Sequence, residues 1–281
     1  MTAIDYAEQV GDIFVLSDSF IRIKELIDNE SSTIDDISDV ILIDPALAGA
    51  ILKLANSSFF SYPGKIDTIS KAVLVLGITE VYNLVIAYFT TQAFKAIDVE
   101  PDYLDSFWEK SVDCALLIKF LGCSLHVPNA ERLFILGLLH NLGELVVKQV
   151  SSEKVTECQC EEQDCLPWNK QQAILNFTYG ECGAELLKLW QLPYNLVSPI
   201  RNQDEDDFTI INTEAQLLYI AKRIMTQQTL LTGKNIHQLI NDLQLTSLGV
   251  DEEMVTNAID FCNLERLNVL SVLNPAAVTI Y

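Results

Sequence analysis

The sequence predicts an all-α protein built from two packed helical subdomains. Three observations carry this. Apolar residues recur at three- and four-residue spacing along most of the 281 positions, the period of a helix with one buried face. Proline and glycine number only eight and eleven, too few for the many turns of a β-sandwich or barrel. Helix start and stop residues punctuate the apolar runs, and no β-hairpin signal, tandem repeat or low-complexity tract interrupts them.

Phe20, Ile23 and Ile27 line one face of a helix ending near Glu30. Ser32 with Asp35 has the form of a capping box, with Asp in place of Glu, for a helix carrying Ile34, Ile37, Ile41 and Leu42. Asp44 caps the next helix, Pro45 takes its first position, and its Ala/Leu-rich run predicts burial. Asn56 reads as a turn residue at its end. Tyr62-Pro63-Gly64 marks a loop over 59–65. Thr68 caps a short apolar helix that Gly77 ends, and Thr79 caps a longer one, apolar nearly all round and therefore central. The break at 98–102, with Pro101 at a helix start, separates residues 1–97 from a second helical unit over 98–202. Residues 203–281 form a C-terminal helical extension packed on that unit. Helices are predicted at 102–123, 129–139, 141–150, 167–176, 180–190, 194–201, 210–227, 234–243 and 251–270, with the acidic run at 204–207 a solvated loop.

Eighteen basic against thirty-nine acidic residues give a net charge of −21. Such a chain repels phosphate backbones and anionic membranes, so neither nucleic acid nor membrane is expected as a partner. No window reaches eighteen apolar residues, the closest being 81–91, and the N-terminus lacks the apolar core of a secretory signal. A cytoplasmic protein with seven reduced cysteines is the expectation. Cys158, Cys160 and Cys165 form C-x-C-x4-C rather than the paired C-x2-C of a zinc site, so they are expected as free thiols, with no disulfide. Cys114, Cys123, Cys182 and Cys262 fall in apolar helical patterns and read as small core residues. No G-x-S-x-G elbow and no phosphate-binding glycine loop is present.

The run IDPALAGAILKLANSSFFSYPGKIDTISKAVLVLGITEVYNLV resembles the N-terminal half of the HDOD domain, the HD-related output domain of bacterial signalling proteins. Asp44-Pro45, Leu54-Ala55-Asn56-Ser57, Phe59-Phe60, Gly77 and Asn83-Leu84 stand in register with its signature. FWEKS at 107–111, ERLFILGLLHNLGELV at 131–146 and YGECGAELLKLWQLP at 179–193 resemble its later segments, so the likeness spans roughly 14–202. It implies that 98–202 is an HD-like helical core. It also implies descent from metal-dependent phosphohydrolases, whose site needs a His, a His-Asp pair and a distant Asp around divalent metals. Here the first His position is Lys110, the His-Asp pair is His140-Asn141, and a later His position is Tyr179. The distant Asp has no unambiguous counterpart; Asp204, Asp206 and Asp207 lie in the right region.

Asn141 offers a neutral amide for a carboxylate, and an ammonium at Lys110 repels a cation. No metal and no cofactor are therefore expected. His140 reads either as a relic ligand or as a buried histidine satisfied by its neighbours. Lys110 reads either as an exposed lysine or as an ion-pair partner of Glu109, Glu144 or Glu181, replacing the metal's charge. Phe59, Phe60 and Tyr62 form either a contact surface or packing between the subdomains. The function expected is a non-catalytic signal-transduction or scaffolding module that acts through a protein partner. The alternatives are a metal-dependent phosphohydrolase and a small-ligand sensor that keeps the old pocket without its metal.

Overall fold

The computed structural model describes residues 1–11, 17–29, 31–57, 60, 62–95, 99–128, 130–160, 165–229 and 239–274. Among them are sixteen α-helices and no strand. The first half holds α1 (Ala3–Gly11), α2 (Asp18–Asp28), α3 (Ile34–Ile43), α4 (Pro45–Ala55), α5 (Ile69–Leu76) and α6 (Ile78–Phe94). The second holds α7 (Pro101–Ser124), α8 (Glu131–Leu139), α9 (Leu142–Val150), α10 (Ser152–Glu157), α11 (Pro167–Leu175), α12 (Tyr179–Leu189) and α13 (Tyr194–Arg201). α14 (Thr213–Thr229), α15 (Asp242–Leu248) and α16 (Glu252–Leu273) complete the chain.

The caps show why several boundaries were readable. Asp44 accepts from the backbone N–H groups of Ala46 and Leu47, and Thr68 from that of Lys71. Gly77 ends α5 at φ 87°, a backbone conformation that side chains with a Cβ rarely adopt. Other boundaries move. The capping box before α3 is Thr33 with Asp36, one residue beyond the expected pair. α6 starts at Ile78, directly from Gly77, so Thr79 lies inside the helix and is not its cap. The helix expected at 234–243 begins at Asp242; 230–238 lie outside the described residues. α1 and α10 were not anticipated, and α1 docks on α9 and α12 of the second half, its Tyr6 ring edge-on to Phe177 at 5.3 Å.

Asn56 does more than end a helix. Its amide Nδ2 donates to the Leu52 and Ile66 carbonyls (2.7 and 2.6 Å), and its Oδ1 accepts from the Ile66 N–H (2.8 Å). This side chain therefore pairs with Ile66 as a backbone would and fixes the return of the loop to α5. Phe60 lies 4.4 Å from the Lys119 ammonium on α7, which places it between the two halves. Tyr62 is partly exposed and covers Gly64; Phe59 lies outside the described residues.

α6 is buried on nearly every face and packs on α8. At its end Phe94 sits between Trp108 and Trp190, with centroids 6.4 and 6.1 Å away. The tryptophans of the FWEKS and LWQLP segments thus close the joint between the halves, large buried rings in edge-on contact. α7 is the spine, packed by α8, α14 and α16. α16 also reaches α4, where Lys53 donates to the Ser271 carbonyl (2.8 Å).

By length and composition one stretch, Arg132–Val150, is apolar enough to cross a membrane, and α5 with α6 would be a second if a 119° bend were ignored. This stretch passes on mean hydropathy although Arg132, His140, Asn141, Glu144, Lys148 and Gln149 interrupt it, so it is not a run of eighteen apolar residues. Of the Arg132–Val150 stretch 72% is buried inside the fold, so its hydropathy is that of the core it builds.

Candidate functional site

Lys110, His140, Asn141 and Tyr179 come from four helix ends and faces, and all line one cavity of about 570 Å³. Three close helix approaches put them there. A Cβ on Gly137 would lie 2.4 Å from Ala115 Cα, so α8 touches the α7 backbone. A Cβ on Gly143 would lie 2.0 Å from the Tyr179 carbonyl oxygen, so the start of α9 touches the start of α12. A Cβ on Gly180 would lie 2.3 Å from Gln203 Nε2, the atom that donates to the His140 carbonyl (2.7 Å). Only glycine permits such contacts.

His140 is 6% exposed, and its Nδ1 is 2.6 Å from the Gly137 carbonyl. That contact assigns the ring proton to Nδ1 and leaves the Nε2 lone pair for the cavity. Burial first, and the Lys222 ammonium second, pull its pKa down to about 4 against the pull of the Gly137 contact and Asp204. A folded value below the unfolded 6.5 means that the unfolded chain holds more protons between the two. This histidine therefore removes stability as pH falls from about 6.5 to about 4, and adds no pH dependence outside that window. Measured by urea unfolding, wild type is expected to lose up to about 3 kcal/mol across this window relative to a His140→Gln variant. Parallel curves would refute the assignment.

Asn141 Nδ2 and the Tyr103 hydroxyl each donate to one oxygen of Glu144. Burial raises the pKa of Tyr103 first, and the Glu144 charge adds to it. Tyr179 shares a hydrogen bond with the Cys158 thiol, and its phenol is likewise raised, by burial and then by Glu144. The three carboxylates expected to pair with Lys110 are engaged elsewhere. Glu109 faces Arg266 at 3.9 Å, Glu144 is held as described, and Glu181 closes a capping box with Thr178. Lys110 itself is exposed at the cavity wall and makes no ion pair among the described residues. Glu109 follows a different face of α7, one residue round the helix, so it turns toward α16 and away from the cavity.

The ammonium inside the site belongs to Lys222 on α14, which the sequence reading did not identify. Its Nζ is 2.5 Å from Asp204 Oδ1, with side chains 12% and 10% exposed. The run at 204–207 is thus not uniformly a solvated loop: Asp204 turns inward, while Asp206 and Asp207 face solvent. One sequence signal pointed here. Leu218, Lys222 and Met225 share a helical face of α14 on which Lys222 and Glu214 are the charges.

Cys160 and Cys165 form a disulfide with Cα atoms 5.5 Å apart, against the expectation of free thiols. Both cysteines lie between α10 and α11, outside any helix, where the spacing rules of helices do not hold them apart. Cys158 is a buried free thiol hydrogen-bonded with Tyr179; it and Cys160 lie beyond the end of α10, so helical spacing does not make them diverge. Cys123 is exposed, not a core residue, whereas Cys114, Cys182 and Cys262 are buried. Thiol titration of denatured protein isolated without reductant should find five thiols, and seven after reduction; seven before reduction would exclude the disulfide.

The donor set does not fit a metal of the HD type. One imidazole faces the cavity, an amide and a phenol stand at two further ligand positions, and one ammonium lies inside with another at the wall. Among the described residues no three His, Cys, Asp or Glu side chains are grouped to hold a metal ion.

The HDOD domain family profile matches residues 13–206. The chain is 30% identical over 203 residues to an "Uncharacterized protein" of Treponema pallidum (strain Nichols), covering 71% of this chain and 39% of that one. It therefore spans well under half of that relative's length. A "Putative phosphohydrolase" from Shewanella amazonensis SB2B shares the fold at TM-score 0.72 and 21% identity, with 97% and 98% of the two chains covered. A "Putative signal transduction protein" from Marinobacter aquaeolei VT8 does so at 0.68 and 22%, over 94% of this chain and 59% of that one. With a profile match across most of its length, and with the Asp44, Asn56, Trp108 and Trp190 positions of that signature performing the capping and packing described above, the chain belongs to the HDOD domain family.

Proposed function

We propose that this protein is a non-catalytic signal-transduction module that acts through contacts with a protein partner in the cytoplasm. The observation that carries this reading is the buried Lys222–Asp204 pair, whose lysine lines the cavity where the family resemblance puts a metal. A fixed ammonium beside His140 opposes a divalent cation at close range, where burial leaves little screening. The Cys160–Cys165 disulfide speaks against a reducing compartment, and a reduced pair in cell extracts would remove that objection.

The competing reading, a metal-dependent phosphohydrolase, takes its support from what some fold relatives are named. One experiment separates the two. Purified protein is analysed for manganese, iron, nickel and zinc, then assayed with p-nitrophenyl phosphate and a cyclic dinucleotide in added manganese. Substoichiometric metal and background turnover are expected. Stoichiometric metal that is lost in His140→Ala, together with turnover, would overturn the non-catalytic reading.

A further inference from the structure

We propose that the cavity binds, without a metal, a small hydroxyl-bearing oxyanion such as a sugar phosphate or a hydroxy acid, with Lys222 supplying the cation. The proposal rests on the non-catalytic reading and extends it. The volume of about 570 Å³ is that of a small-ligand site.

The unspent hydrogen-bonding groups define the chemistry. An ammonium carries three N–H donors, and Asp204 takes one from Lys222. Ser111 lines the same cavity, is 1% exposed, and its hydroxyl has no partner. Lys110, its neighbour on α7, stands at the wall with no ion pair among the described residues. Two ammonium side chains, Lys222 and Lys110, therefore line one space, with the Ser111 hydroxyl buried in its wall. Opposite in kind, His140 keeps an acceptor at Nε2, which suits a ligand hydroxyl.

Charge sets the upper limit on the ligand. Asp204 offsets the charge of Lys222, and the Glu144 carboxylate, whose two oxygens accept from Tyr103 and Asn141, offsets that of Lys110, so the lining carries no net positive charge. An anion is therefore held by directed N–H donors of Lys222 and Lys110 rather than by a net field, which limits it to the one or two charges of a small phosphomonoester or hydroxy acid. A polyanion would meet the field of a chain with net charge −21.

The test is calorimetric titration of the full chain in EDTA with glycerol 3-phosphate, malate and glycerol. Glycerol 3-phosphate or malate should bind, the arm that responds naming the oxyanion, and glycerol should not. Lys110→Glu, an exposed change that spares the fold, should weaken binding at least tenfold. The double variant Lys222→Met/Asp204→Leu should abolish it. The proposal is overturned if neither oxyanion binds, if glycerol binds as well as they do, if binding needs added manganese, or if Lys110→Glu binds like wild type. Failure here is separable from failure of the non-catalytic reading. Turnover of glycerol 3-phosphate with manganese would overturn that reading, whereas absence of both binding and turnover removes only the ligand.

Discussion

Replacing Gly143 with alanine is expected to cost about 3 kcal/mol of stability, at the upper end of what one added methyl does in a packed interior. The new Cβ would lie 2.0 Å from the Tyr179 carbonyl oxygen, 2.7 Å from the Gly183 nitrogen and 2.9 Å from Cys182 Cβ. Two of the three are backbone atoms, which cannot swing aside as a long side chain can. The start of α9 and the start of α12 must therefore separate, and Asn141 and Tyr179, one on each side of the wedge, move apart with them. The control is Gly49→Ala. Gly49 lies on an exposed face of α4 with nothing within 4 Å of a Cβ. There the methyl meets no neighbour and lowers the entropy of the unfolded chain, so about 0.5–1 kcal/mol of stabilisation is expected. Urea unfolding of the two variants checks both signs. Equal effects would mean that the approach of α9 to α12 is looser than described.

Much of this was legible because local chemistry decided it. Asp44, Thr68, Gly77 and Pro101 mark helix ends by what their own backbone or side chain does within a few residues, and all four stand at ends. Thr33 was missed by one position because Ser32 offers the same hydroxyl and Asp35 the same carboxylate; which pair closes the box depends on where α3 begins to pack. The site divides in the same way. Lys110, His140, Asn141 and Tyr179 were found because the resemblance fixes their order, and the structure gathers them on one cavity. Lys222 lies twenty residues beyond the end of that resemblance, and Asp204 hides in a run of acids that looks solvated. Their meeting is set by how α13 and α14 cross α8, which no local pattern encodes. The ion pair sought at Lys110 does exist in kind, on a different lysine. Periodicity could have flagged it, since a charge on the apolar face of a helix needs a partner. The Cys160–Cys165 bond was misjudged for a different reason: spacing rules address helices and metal sites, and those two residues lie outside the helices, between α10 and α11.

The Lys222–Asp204 pair leads to the other large expected effect. Lys222→Met should cost about 3–5 kcal/mol, because it leaves the Asp204 carboxylate in the interior without its countercharge. Asp204 is 10% exposed, and its second oxygen is already buried without a partner, so little solvation is available to it once the ammonium is gone. Burial weakens the hold of Lys222 on its proton, and Asp204 restores it, so each charge depends on the other. Removing both together is a different matter. Lys222→Met/Asp204→Leu exchanges a costly desolvated pair for apolar contacts beside Trp168, whose ring lies 5.5 Å from the Lys222 Nζ. That double variant should recover most of the loss and lie within about 1–2 kcal/mol of wild type. Urea unfolding of wild type, both single variants and the double variant closes the cycle. A coupling near zero would mean that the two side chains are independently solvated, and the tethered cation would then cease to support the non-catalytic reading proposed above.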